Sequence, residues 1–137
     1  MDKTTVRNNL VKVLEDMKAK AEEMNMQGVA VAAFLDAEDT IDWIGEMKVV
    51  GQPYSKTDDH GWNLVAIAWS KAGEVIATSA NSGNPDIPRM TGELGYVGGA
   101  YGEHKGCKLA FAFSGGTSED DLVVAQYGIQ KFIELMD

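Results

Sequence analysis

The chain has 137 residues, which is one domain by length and enough for one real core. Its composition, 45% hydrophobic and 24% charged, is ordinary for a soluble globular protein, and its net charge of −9 disfavours nucleic acid and anionic membrane surfaces, which select basic faces. The single cysteine, Cys107, excludes an internal disulfide and fits a reducing compartment. No apolar run is long enough to span a bilayer. The start, MDKTTVRNNLVKVLEDM, lacks the unbroken apolar run of an export signal, so the expected location is cytoplasmic.

Residues 4–25 read as a first helix. Val6, Leu10, Val13, Leu14, Met17, Ala21 and Met24 fall on one stripe, and Asn25 and Gly28 are stop signals. Val29–Leu35 is a continuous apolar run, as in a strand buried on both faces. Asp36-Ala37-Glu38-Asp39 then reads as a tight polar turn. Thr40–Met47 alternates, with Ile41, Trp43 and Met47 on one side and Asp42 and Glu46 on the other, so the two runs predict a hairpin. Gly51–Thr57 reads as loop. Asp58 or Asp59 is expected to cap a second helix over roughly 60–79. That helix is apolar nearly all round, through Trp62, Leu64, Val65, Ile67, Ala68, Trp69, Val75 and Ile76. Such a helix is usually covered on two sides, and the expected second cover is another subunit.

Ala80–Pro88 reads as a long turn, Glu93–Tyr101 as a glycine-dense strand and Gly102–Gly106 as a turn. In Cys107–Ser114, Leu109, Phe111 and Phe113 alternate with Lys108, Ala110, Ala112 and Ser114, the period-two pattern of a strand. Gly115 and Gly116 allow a sharp turn. Thr117 or Ser118 can cap a closing helix that buries Leu122, Ala125, Ile129, Phe132, Ile133 and Met136. The order is helix, hairpin, helix, hairpin, helix. Short turns within each strand pair predict antiparallel pairing and an α+β fold.

The segment AFAFSGGTSEDDLVVAQYGIQKF resembles the closing segment of the GlcG/HbpS family of haem-binding proteins, which includes the C-terminal domain of PduO. The positions that carry the likeness are Ser114, Gly115, Gly116, Thr117, Glu119, Asp120, Asp121, Ala125 and Gly128. Residues 21–41, with Asp36 at the turn, resemble the family's helix end and first hairpin. Ser70-Lys71-Ala72 resembles its second helix, and Gly98-Gly99 the double glycine that opens its second hairpin. The resemblance spans nearly the whole chain, read as one domain, 1–137. It implies a profilin-like fold, an antiparallel sheet of about five strands flanked by helices. It also implies assembly into dimers or larger homo-oligomers, and haem or a related tetrapyrrole as ligand. Two departures stand out. Glu46-Met47 replaces the family's frequent Arg-Met, which removes a cation from any haem propionate there, and the loop 80–92 is unlike that of typical members.

Amides at the start of the closing helix attract anions, but Glu119, Asp120 and Asp121 already oppose the helix dipole and repel a phosphate. Ser114–Asp121 therefore reads as a structural turn and cap. His104 and Cys107 are too few for a metal site, so His104 reads as a turn histidine and Cys107 as a small buried hydrophobe. Asp58-Asp59-His60 reads as a capping group. Ser114 lacks the Gly-x-Ser-x-Gly elbow of a hydrolase, and ELGYVGGAYGEHKG lacks a dinucleotide fingerprint. Trp62 and Trp69, seven apart, read as packing on one helix face. The reading is a non-catalytic ligand-binding homo-oligomer with no catalytic or metal residue assigned. Ser114, Gly115, Gly116, Thr117, Lys71 and His104 are expected at a ligand such as haem. Two other readings stay open: an enzyme or enzyme accessory acting on a small metabolite, with Lys71, Thr117 and His104 as polar lining, and a structural or regulatory oligomer with no cofactor.

Overall fold

The computed structural model describes residues 2–36, 42–57 and 60–137. In chain order the elements are α1 (Lys3–Glu23), β1 (Gly28–Asp36), β2 (Ile44–Val50), β3 (Tyr54–Thr57), β4 (His60–Asn63), α2 (Leu64–Thr78), β5 (Gly99–His104), β6 (Cys107–Ser114) and α3 (Ser118–Met136). Asp2 caps α1 by accepting from the Thr5 amide at 2.8 Å. The stripe Val6, Leu10, Val13, Leu14, Met17 and Ala21 is buried, as its spacing requires. The helix stops where Asn25 turns left-handed, at φ 58°.

Four strands form an antiparallel sheet in the order β2-β1-β6-β5. Side-chain alternation sorts its two faces. Ala30, Ala32 and Phe34 of β1 and Leu109, Phe111 and Phe113 of β6 pack with α1 and α3 in the main core. Val29 and Val31 of β1 and Ala112 of β6 pack with α2 on the other face. Small alanines on that face let a single helix lie close. The main core is closed by Phe132, whose ring meets Phe111 edge-on at 5.9 Å between centroids.

The α+β architecture agrees with the sequence reading, and β1, β6 and α3 lie where expected. Other boundaries moved. Rather than about five strands in one sheet, the strands divide into a sheet of four and a separate ribbon, β3-β4. That ribbon occupies part of Gly51–Thr57, expected to be loop, and the first residues of the expected helix 60–79. The helix begins only at Leu64, because Asn63 accepts from the Ala66 amide at 3.0 Å and caps it. Trp62 is therefore on β4, not on one helix face with Trp69.

The second strand lies further along than Thr40–Met47, because Phe34 pairs with Ile44 and Gly28 with Val50. Its buried ends are Ile44 and Val50, while Met47 is half-exposed on the other side. The expected turn at Ala37-Glu38-Asp39, Ile41, and the expected caps Asp58 and Asp59 lie outside the described residues. The glycine-dense strand runs from Gly99 to His104 rather than over Glu93–Tyr101. Its turn is only Lys105-Gly106, both at positive φ, the geometry of a tight hairpin. Residues 89–94 instead bond locally, as Arg89 to the Leu94 carbonyl and the Met90 amide to Glu93.

Phe111 is fully buried at the centre of the main core. Phe111→Ala should lower unfolding free energy by about 3–5 kcal/mol, a large share of what a small domain has. Denaturant melts would check this; a midpoint matching the wild type would place Phe111 outside the core.

Candidate functional site

The inward face of α2 carries a lysine among alanines. Lys71 is 4% exposed, and its ammonium must find partners inside the protein. It donates to the Phe113 carbonyl and to Asp121 Oδ2, each at 2.9 Å. Asp121, on the first turn of α3, is equally buried, and its Oδ1 accepts from the Gly116 amide at 2.8 Å. The Ser114–Thr117 turn is thus anchored from beneath by a side chain of the helix that follows it. Thr117 caps that helix, its hydroxyl accepting from the Asp120 amide at 3.2 Å.

The pair needs room, and Gly98 leaves it. A Cβ on Gly98 would lie 2.6 Å from Lys71 Nζ and 2.9 Å from the Asp121 Cβ, and its φ of 134° suits only glycine.

A cavity of about 370 Å³ opens above the pair. Its floor is Lys71, Asp121, Ser114, Gly115 and Gly116. Leu64 and Ile67 of α2 and Val97 supply apolar wall, Ser118 lies at the rim, and the ribbon contributes Ser55 and Trp62, which face each other across β3 and β4. Tyr96 completes the lining. Trp62 and Tyr96 stand open to solvent, 54% and 42% exposed. Two aromatic rings and a buried ion pair thus line the same cavity. An ammonium has three N–H donors, and two of those on Lys71 have the partners named above.

The structure brings together four of the six residues expected at the ligand: Lys71, Ser114, Gly115 and Gly116. Thr117 is spent on capping. His104 stands elsewhere, at the end of β5, with its Nε2 2.7 Å from Asp137 Oδ1. That contact, with a second from Lys105, holds the Asp137 carboxyl below the usual carboxylate range. Glu46 points to the α1 side, 3.9 Å from Arg7, so its replacement of arginine does not alter this cavity. Sequence reasoning missed Trp62, Tyr96 and Val97 as lining and saw Asp121 only as part of an acidic helix start. The available signal was Lys71 itself, the one cation on an apolar helix, which needs a buried acid. With 21 acidic residues in the chain, that signal names no partner.

No family model matches the sequence, and no curated protein does. Two of the solved structures that share the fold are similar to this chain along nearly its whole length. One is the Klebsiella pneumoniae protein ORFY, of the DUF336 family, at TM-score 0.60 and 16% identity over 96% of this chain and 90% of that one. The other is the PduOC:haem complex, at TM-score 0.60 and 16% identity over 96% of this chain and 94% of that one. This likeness of fold accords with the fold implied by the resemblance of residues 110–132 to the GlcG/HbpS family.

Removing one member of a buried ion pair strands the other. Lys71→Met should cost about 3–5 kcal/mol. Adding Asp121→Leu should cost less than the sum of the two single changes, because no lone charge is left. A double-mutant cycle by denaturant unfolding measures this, and strict additivity would show that the two groups are not coupled.

Proposed function

We propose that this protein is a non-catalytic, small-molecule-binding protein whose ligand lies in the cavity between the β3-β4 ribbon and the Ser114–Ser118 turn, with haem or a related tetrapyrrole as the ligand. The observation that carries the reading is the cavity itself. Its volume of about 370 Å³ falls in the range of ligand sites, about 300–1,000 Å³, and aromatic rings wall it. The fold shared with a haem complex supports the choice of ligand.

The lining fits the ring of a tetrapyrrole. Trp62, Tyr96, Leu64, Ile67 and Val97 offer the flat, apolar contact that a porphyrin face needs. Tyr96 is of a residue type that ligates haem iron. The lining gives propionates less, because its one cation, Lys71, is already paired with Asp121. Such a ligand would be held by its ring more than by its carboxylates. Bound haem would supply an iron centre whose Soret band reports occupancy.

Titrating the purified protein with hemin should shift and sharpen that band to saturation. Trp62→Ala should weaken binding at least tenfold, and Tyr96→Phe should change the spectrum. A band that stays that of free hemin, or variants that bind as the wild type does, would sink the assignment.

The same reading includes self-association. Helix α2 packs on β1, β6 and β5 and leaves the outer face of the edge strand β2 to Trp69. Met47, Val49 and Trp69 are each 37% exposed there, beside the exposed Ala66, Gly73 and Ala77 of α2. A continuous apolar face of this kind favours a two-fold contact with a second copy. Sedimentation at micromolar concentration should report at least a dimer, and Trp69→Glu should shift it toward monomer. A wild-type monomer that stays soluble at high concentration would refute the contact.

A further inference from the structure

Strand β6 turns small residues toward α2. Phe113 packs in the main core, so alternation puts Ala110, Ala112 and Ser114 on the opposite face. Ala110 packs with Val75 of α2, and Ala112 with Leu64, Ala68 and Ala72. Ser114 stands one step further on, paired with Val29 of β1, and lines the aromatic cavity. The series on this face changes from alanine to serine where the cavity begins.

Ser114 is 3% exposed, and its hydroxyl has no hydrogen-bond partner among the described residues. A buried hydroxyl in that state costs free energy that a partner would recover. It is not sealed in, however. Among the described residues only Glu93 Oε2 is both enclosed and unpartnered, so the Ser114 Oγ keeps some open surface, on the cavity side of its strand.

A hydroxyl donates or accepts, and its surroundings decide which. Gly115, Gly116 and Ser118 line the same cavity and lead into α3, whose positive end favours an electron-rich atom. A full negative charge there would meet Glu119, Asp120 and Asp121 in the first turn. The one cation of the lining, Lys71, is already paired with Asp121. A neutral oxygen suffers no such repulsion.

We propose that this cavity selects flat ligands with an uncharged carbonyl at the ring edge, the Ser114 hydroxyl donating to that oxygen. The proposal rests on this cavity being the ligand site and adds what its floor distinguishes.

The test is an amide-resolved NMR titration of the full chain with three flat tricyclic probes that differ at one carbon. Fluorenone carries a carbonyl there, fluorene no polar atom and fluorenecarboxylate an anion. Fluorenone should give saturable shifts at Gly115, Gly116 and Ser118. It should bind about fivefold more tightly than fluorene, the worth of one neutral hydrogen bond, and more tightly than the carboxylate. Ser114→Ala should erase the preference for fluorenone over fluorene. It should leave the unfolding midpoint in place, because the lost hydroxyl has no protein partner. Equal binding of fluorenone and fluorene would overturn the proposal. So would tightest binding by the carboxylate, or a Ser114→Ala protein that still prefers fluorenone. Failure of all three probes would overturn it too. If hemin still binds in a Trp62-dependent way, the ligand-site reading stands without it; if hemin also fails, both fall.

Discussion

The Lys71–Asp121 ion pair constrains more of this structure than any other contact. Fifty residues separate its partners in sequence, yet both side chains are buried and 2.9 Å apart. A buried pair of this kind adds little to stability against an apolar replacement, but breaking it is expensive. Its effect is to fix geometry. Lys71 holds α2 to the end of β6 through the Phe113 carbonyl, and Asp121 holds α3 and the Gly116 amide. Gly98 must lack a side chain for the pair to form, so the entry to β5 is set by it too.

The same pair inverts the usual logic of a surface helix. Lys71 and Glu74, the two charged residues of α2, both face inward and are buried, while Ala66, Trp69, Gly73 and Ala77 face out. An ordinary amphipathic helix would place its charges in solvent. Here each inward charge organises backbone instead: Lys71 the Ser114–Thr117 turn, Glu74 the amides of Gly83 and Gly95. The outward apolar face is the consequence, since no charge remains to decorate it.

The longer elements of this fold were legible in the sequence. Strand β6 showed its period of two, α3 showed its cap and stripe, and β1 showed its unbroken apolar run. The ribbon β3-β4 was hidden because two four-residue strands pairing only with each other carry no hydrophobic period. Its glycine, proline and serine read as loop. Asn63 was a competent cap standing five residues after another plausible one, Asp58, and only the ribbon's pairing decides between them. Around β5 the glycines leave no alternation to fix the ends of the strand, so it reads from Glu93 when it starts at Gly99. The site was half legible for a related reason. Ser114, Gly115 and Gly116 form a local turn and Lys71 is conspicuous in its helix, but Trp62 and Tyr96 reach the cavity only through tertiary pairing.

Lys71 and Glu74 are three residues apart, hence neighbours on one helix face. Lys71 lines the aromatic cavity and Glu74 lines another, of about 240 Å³, that the loop 81–95 builds with Asn81, Arg89 and Gly95, and segment 95–98 runs between the two. Gly95 is bound to Glu74 and lines the loop cavity, Tyr96 and Val97 wall the aromatic cavity, and Gly98 lies against Lys71 Nζ. The two cavities therefore share a wall four residues long, held at one end by a carboxylate and at the other by the space an ammonium requires. A side chain at Gly98 would displace the buried Lys71 ammonium, and one at Gly95 would meet the exposed Arg89 at a φ of 74°. That is why glycine stands at 95, where a Cβ would strike Arg89, and at 98, where it would strike Lys71. Of the glycines that obscured β5 in the sequence, the one at 98 is what an inward-facing lysine on the helix beneath demands of the chain that passes over it.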